Sequence, residues 1–186
     1  GAEELHKYVQ ARLDQDPELA ILSIDVQAAF SDIRLAAILE AIQTHHPDLE
    51  PLVRPWLTAD ALYLCNLQDS GDTITFKSGR GVPMGCPLAA VAFTLALHTA
   101  LSKTQVAIAS VDPGASTTAY MDDINILTRH SNLSKALDTA RKELYQLGLQ
   151  LNDAKTECWI NPRTMAPEGR YRDIRRTKRP TVLKAT

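Results

Sequence analysis

The chain has 186 residues, is 45% hydrophobic and carries a formal net charge of −2, enough apolar material for one ordinary core. No apolar run reaches bilayer-spanning length, the first residues lack the basic and apolar regions of a secretory signal, and Cys65, Cys86 and Cys158 are spaced unlike a zinc site or disulfide framework. The expectation is an intracellular protein of a reducing compartment with no membrane partner, whose acidic balance argues against autonomous binding of nucleic acid, where Lys and Arg normally meet the phosphates.

Apolar positions Leu5, Tyr8, Val9 and Leu13 fall at helical spacing and predict a short amphipathic helix, closed by the segment from Asp14 to Glu18. The run Leu19 to Val26 predicts a central strand delivering Asp25 at its C-terminal end. Ser31-Asp32 offers an N-cap for a helix through Ile33, Leu35, Ile38, Leu39 and Ile42, ended by His45-His46-Pro47. A second helix is expected from Leu49 to Leu64, then a turn at 69–72, then a hairpin arm at Thr73 to Lys77. The loop from Ser78 to Pro87 is punctuated by glycine and proline and precedes an Ala-rich buried helix over Leu88 to Leu101.

Farther along, Val106 to Val111 reads as a strand, Asp112-Pro113-Gly114 as a turn, and Thr117 to Tyr120 with Ile124 to Leu127 as a hairpin bearing Met121-Asp122-Asp123 at its tip. An amphipathic helix over Leu133 to Leu147 stops at Gly148, and Gln150 to Asn152 with Lys155 to Trp159 reads as an edge hairpin. The expected fold is α+β, a sheet packed on helices, formed by residues 1–162. Residues 163–186 hold eight Lys and Arg against Glu168 and Asp173, a net +6 that leaves −8 elsewhere. That tail is expected to be flexible or to contact nucleic acid or a partner.

If the strands ending at Asp25 and bearing Asp122-Asp123 are neighbours, three carboxylates converge at one sheet edge and repel one another unless cations neutralise them. Mg²⁺ takes such oxygen ligands together with substrate phosphates, and two metals ~4 Å apart serve in-line phosphoryl transfer. Each part also has a plainer reading: an Asp at a strand end caps or turns the chain, and an Asp-Asp pair sits in a solvated turn.

Four segments in order carry a resemblance. Ile24 to Ile33 resembles the first palm motif of reverse transcriptases, and Arg80-Gly81-Val82-Pro83-Met84-Gly85-Cys86-Pro87-Leu88 resembles the second, with Met84 and Cys86 where Gln and Ser are usual. Tyr120-Met121-Asp122-Asp123 is similar to the Tyr-x-Asp-Asp signature, and Gly148 to Glu157 to the Gly-Leu…Asn…Lys motif that follows it, in a form nearest to non-LTR retrotransposon and group II intron enzymes. The resemblance covers roughly residues 19 to 160 and implies a polymerase palm with a ferredoxin-like or RRM-like antiparallel sheet, fingers and thumb largely absent.

It further implies Asp25, Asp122 and Asp123 as catalytic acids, Asp25 and Asp122 as metal ligands with the Val26 carbonyl a further oxygen ligand and Asp123 a weaker or outer partner, and two Mg²⁺, or Mn²⁺ in their place, as cofactors. Phe30 would be the steric gate against a ribose 2′-hydroxyl; Arg80, Gly81, Met84 and Gly85 would line the template and nucleotide, the glycines admitting close backbone approach. Lys155 would stand near the leaving pyrophosphate as general acid. The same residues read without the motifs are a core Phe at a strand-helix junction and a solvated hairpin Lys. Partners implied for the full-length enzyme are an RNA template, a DNA primer and a deoxynucleoside triphosphate. The chain alone is expected to extend a primer poorly. A competing expectation is a domesticated, non-catalytic palm serving a larger protein assembly; a retroelement protein of either kind would work in the nucleus or cytoplasm.

Overall fold

The computed structural model describes residues 2–58, 62–66, 71–77, 79–160 and 175–176. In chain order the elements are α1 (Ala2–Gln15), β1 (Leu19–Ile24), β2 (Val26–Gln27), α2 (Ala29–Asp32), α3 (Leu35–His45), a 3-10 turn at Pro47–Leu49, α4 (Glu50–Thr58), β3 (Leu62–Asn66), β4 (Thr73–Lys77), α5 (Pro87–Ala109), β5 (Ser116–Tyr120), β6 (Asp123–Arg129), a 3-10 turn at His130–Asn132, α6 (Leu133–Gln146), β7 (Gln150–Leu151), β8 (Glu157–Ile160) and β9 (Arg175–Arg176). They fall into two compact units, the second formed by Ala28–Ala96 and the first by the described residues on either side of it. The basic tail lies outside the described residues apart from β9.

In the first unit a five-stranded sheet runs β5-β6-β1-β8-β9, antiparallel but for the β8–β9 pair. The expected α+β arrangement, an antiparallel sheet packed on helices, is therefore present. β1 is central, and nearly every residue of Leu-Ala-Ile-Leu-Ser-Ile is buried because both sheet faces are used. Side chains alternate along a strand, so Leu19 and Ile21 share one face with Leu127 of β6 and Trp159 of β8, and Leu13 of α1 closes this cluster with Val9 at its margin. The other face presents Ala20, Leu22 and Ile24 beside Ile124, Ile126 and Cys158. α6 packs on β1 and β6, burying Leu133, Ala136, Leu137, Ala140 and Leu144, an apolar stripe at helical spacing.

The outer edge of β5 is also met from within the unit. Gln105 of α5 accepts from the Thr117 N–H through Oε1 at 2.6 Å and donates from Nε2 to the Ala115 carbonyl at 3.0 Å.

Several local expectations are corrected. Val106 to Val111 is not a strand: α5 continues to Ala109, burying Ala92, Ala96, Ala100, Thr104 and Ile108 at every fourth residue, and that longer periodicity overrides the alternation of Val106, Ile108 and Ser110. The helix expected to reach Leu64 stops at Thr58, and Leu62–Asn66 pairs with Thr73–Lys77 as a hairpin instead, the β-branched and aromatic Thr-Ile-Thr-Phe of the second arm giving it a strand to pair with. Ser31 and Asp32 do not cap a helix. They close the short α2, and α3 begins after Arg34 with no side-chain cap. The strand from Leu19 breaks at Asp25, after which β2 pairs with β7 rather than continuing in the main sheet. Consequently Gln150–Leu151 and Glu157–Ile160 do not form a hairpin with each other: the first joins β2, the second flanks β1.

Candidate active site

The face of the sheet that α1 covers changes character along its length. Leu19, Ile21, Leu127 and Trp159 make its apolar half; farther on, the same alternation brings up Ser23, Asn125 and Glu157, a transverse row on β1, β6 and β8, and beyond it Asp25 and Asp123. The polar half borders a cleft of about 220 Å³ lined by Ser23, Ile24, Asp25, Asp123, Ile124, Asn125, Lys155 and Glu157. Two of the expected acids and the expected lysine therefore face one space. The condition set on Asp25 and the Asp-Asp pair is met, because β1 and β6 are direct antiparallel neighbours with Ile24 opposite Ile124.

Asp122 stands at the exposed tip of the β5–β6 hairpin, beside Met121, whose φ of 55° is left-handed. Tyr120 and Asp123 pair across this two-residue loop. Burial pushes the Asp123 carboxyl above its ordinary value, and the neighbouring charges of Asp122 and Asp25 push it further the same way. Among the described residues no three His, Cys, Asp or Glu side chains are grouped closely enough to hold an ion by themselves. The donor set is nonetheless all hard oxygen, and mutual repulsion among carboxylates is what a divalent cation relieves, so the residues fit a hard divalent cation whose coordination is completed from outside the chain.

Lys155 reaches the cleft through a tight turn. Asn152 donates its N–H to the Asp25 carbonyl at 2.8 Å, and its own carbonyl accepts from the N–H groups of Lys155 and Thr156 at 3.0 and 2.8 Å. The turn bearing the lysine is thus tied to the backbone of the acid. Val26 is buried and pairs with Leu151.

The remaining expected residues belong to the second unit. Phe30 stacks on Phe93, ring centroids 4.4 Å apart and planes 22° from parallel. Gly81 has φ of 77°, and a Cβ there would lie 2.7 Å from the Ser31 carbonyl carbon. Its N–H donates to the Ile33 carbonyl at 2.8 Å, and Val82 donates to the Phe30 carbonyl at 2.7 Å. In this structure the close backbone approach that Gly81 permits is to the chain itself, and its amide is committed there. Gly85 has φ of 87° with open space around it, so glycine there answers a backbone requirement. Arg80 pairs with Asp32 at 3.4 Å, and Met84 is 77% exposed.

A family model described as reverse transcriptase (RNA-dependent DNA polymerase) matches residues 3–178. The chain belongs to the reverse transcriptase family. Solved structures similar to this reverse transcriptase domain include apo telomerase from Candida tropicalis truncated from its C-terminal domain, at 16% identity and TM-score 0.67, covering 91% of this chain and 36% of that one. Telomerase from Candida albicans in complex with a TWJ fragment of telomeric RNA matches at 18% identity and TM-score 0.52, covering 89% of this chain and 30% of that one. At such identities the likeness is one of fold, and this chain spans about a third of the length of those structures. No curated protein matches.

The residues that sequence reasoning missed are Ser23, Asn125 and Glu157. Counting two back from Asp25 and two on from Asp123 would have found the first two, since alternate residues share a face.

Proposed function

We propose that this chain is the palm of an RNA-directed DNA polymerase of a retroelement, transferring deoxynucleotides to a primer 3′-hydroxyl on an RNA template. The observation that carries this reading is the single cleft bordered by Asp25, Asp123 and Lys155 at the end of adjacent strands, in a reverse transcriptase domain. The carboxylates of Asp25, Asp122 and Asp123, with the Val26 carbonyl, would hold the divalent ions. Bound there, two Mg²⁺ ions, or Mn²⁺ instead, would polarise the attacking hydroxyl and stabilise the leaving phosphate oxygen.

The chain's own groups do the rest. Asp25 and Asp123 supply negative charge where cations and a triphosphate must meet. Lys155, held by the turn on Asn152, places an ammonium at the same cleft, where it can neutralise a departing pyrophosphate or give it a proton. Phe30 as the gate against ribonucleotides, and Arg80, Gly81, Met84 and Gly85 as template and nucleotide contacts, rest on the motif resemblance. The Gly148 to Asn152 segment supports a non-LTR or group II type of enzyme.

Paramagnetic titration with Mn²⁺, alone and with a deoxynucleoside triphosphate, tests the reading. The expected result is binding that tightens with the nucleotide and is abolished by Asp25→Asn combined with Asp122→Asn. Binding that survives the double substitution would refute the metal site.

A further inference from the structure

The positions immediately behind the acids are joined by a side-chain clasp. Ser23 lies two residues before Asp25 and Asn125 two residues after Asp123, so all four project from one face of the sheet. Ser23 and Asn125 are direct cross-strand partners, and the Ser23 hydroxyl donates to Asn125 Oδ1 at 2.6 Å. On its far side Asn125 is held too, its carbonyl accepting from the Thr118 hydroxyl at 3.3 Å. Past the clasp the β1–β6 ladder has one further pair, Ile24 with Ile124; then β1 ends, and the chain departs to pair with β7. The two acids therefore stand one step past the last β1–β6 pair, Asp123 still paired to Tyr120 of β5 and the Asp25 carbonyl to the Asn152 N–H, so no β1–β6 backbone pair links them to each other while their like charges tend to part the two strands.

We infer that the Ser23–Asn125 hydrogen bond is a positioning contact that fixes the separation of Asp25 and Asp123 for a divalent cation, an inference that rests on the metal-binding reading of those acids. Neither residue touches the ion. The clasp acts by holding two strand ends at one spacing, and supporting contacts of this kind set ligand geometry and affinity. Because the pair borders an open cleft, its removal leaves the buried core untouched and its polar atoms in reach of water.

The test compares wild type, Ser23→Ala, Asn125→Ala, the double variant and Ser23→Thr, each titrated with Mn²⁺ alone while the free-ion paramagnetic signal is followed, with metal-free thermal unfolding measured in parallel. Each alanine variant is expected to bind Mn²⁺ about tenfold more weakly. The double variant should lose no more than either single, since both remove one interaction, and Ser23→Thr, which keeps the hydroxyl on a strand-compatible side chain, should restore affinity. Unfolding midpoints should stay together. Equal Mn²⁺ affinity in wild type and Ser23→Ala overturns the inference while leaving the metal site standing, as does a loss that follows the unfolding midpoint and is not restored by threonine. A wild type that binds no Mn²⁺ instead removes the metal reading itself, and the clasp's role with it.

Discussion

Asp112 is buried where a carboxylate needs a reason to be. Burial acts most strongly on its carboxyl and would raise it, but the Arg129 N–H and the Thr128 hydroxyl, each at 2.7 Å, and the Gly114 N–H at 3.2 Å together outweigh this and hold it below its ordinary value. Arg12 of α1 donates to the Gly114 carbonyl beside it, so the acid organises a junction of α1, β6 and the turn before β5. Because its folded value lies below the unfolded one, the unfolded chain takes up the proton first. Its contribution is complete above the ordinary carboxylate range and is lost as pH falls through the depressed value. Asp112→Asn should cost about 1–3 kcal/mol at neutral pH, and the variant should show less acid sensitivity than wild type when urea unfolding is compared at neutral and acidic pH. The sequence pointed to Asp112-Pro113-Gly114 as a turn and nothing more, because its hydrogen-bond donors on β6 are sixteen and seventeen residues away.

At the scale of elements, what was legible followed from periodicity. β1, β6 and α6 each bury a pattern that local sequence shows on inspection, and Asp25 and Asp123 come together because the two strands carrying them pair. Illegible features were those decided by distant partners. Nothing in Ser31-Asp32 announces that Asp32 is paired with Arg80 and that the Ser31 carbonyl lies against Gly81, and β7 is too short to reveal its partner by pattern. The lining of the cleft was legible at Asp25 and Asp123 from their places at a strand end and a hairpin tip, and at Lys155 only through the motif resemblance; its polar floor was not, since Ser, Asn and Glu on a strand look like an exposed surface. The weight of β1 can be measured. Leu22 is wholly buried between Ile126 and Cys158, and Leu22→Ala should destabilise by about 2–5 kcal/mol, read as a lowered urea midpoint.

For the whole molecule, the two-unit division was hidden because neither boundary looks like a linker: one falls inside the first motif, the other inside α5. Charge, by contrast, is a whole-chain property that the sequence states openly. With −8 over residues 1–162 and +6 over residues 163–186, affinity for a nucleic acid should depend on the basic segment. Replacing Arg170, Arg172, Lys178, Arg179 and Lys184 by alanine should weaken binding of a primer–template duplex and flatten its salt dependence, by up to about 0.9 in log–log slope for each phosphate that is no longer neutralised. An unchanged slope in a salt titration followed by fluorescence anisotropy would mean that these residues contact no phosphate.

The Gln105 side chain has a consequence for how copies of this protein meet. A strand at the margin of a sheet offers unpaired N–H and C=O groups to any other strand that drifts past, and such margins seed fibrous assembly. By giving the Thr117 amide an acceptor and the Ala115 carbonyl a donor, one glutamine imitates the missing neighbour for a single step of the ladder. A second chain trying to zip along β5 must first displace it, so the sheet's margin is blunted by a side chain.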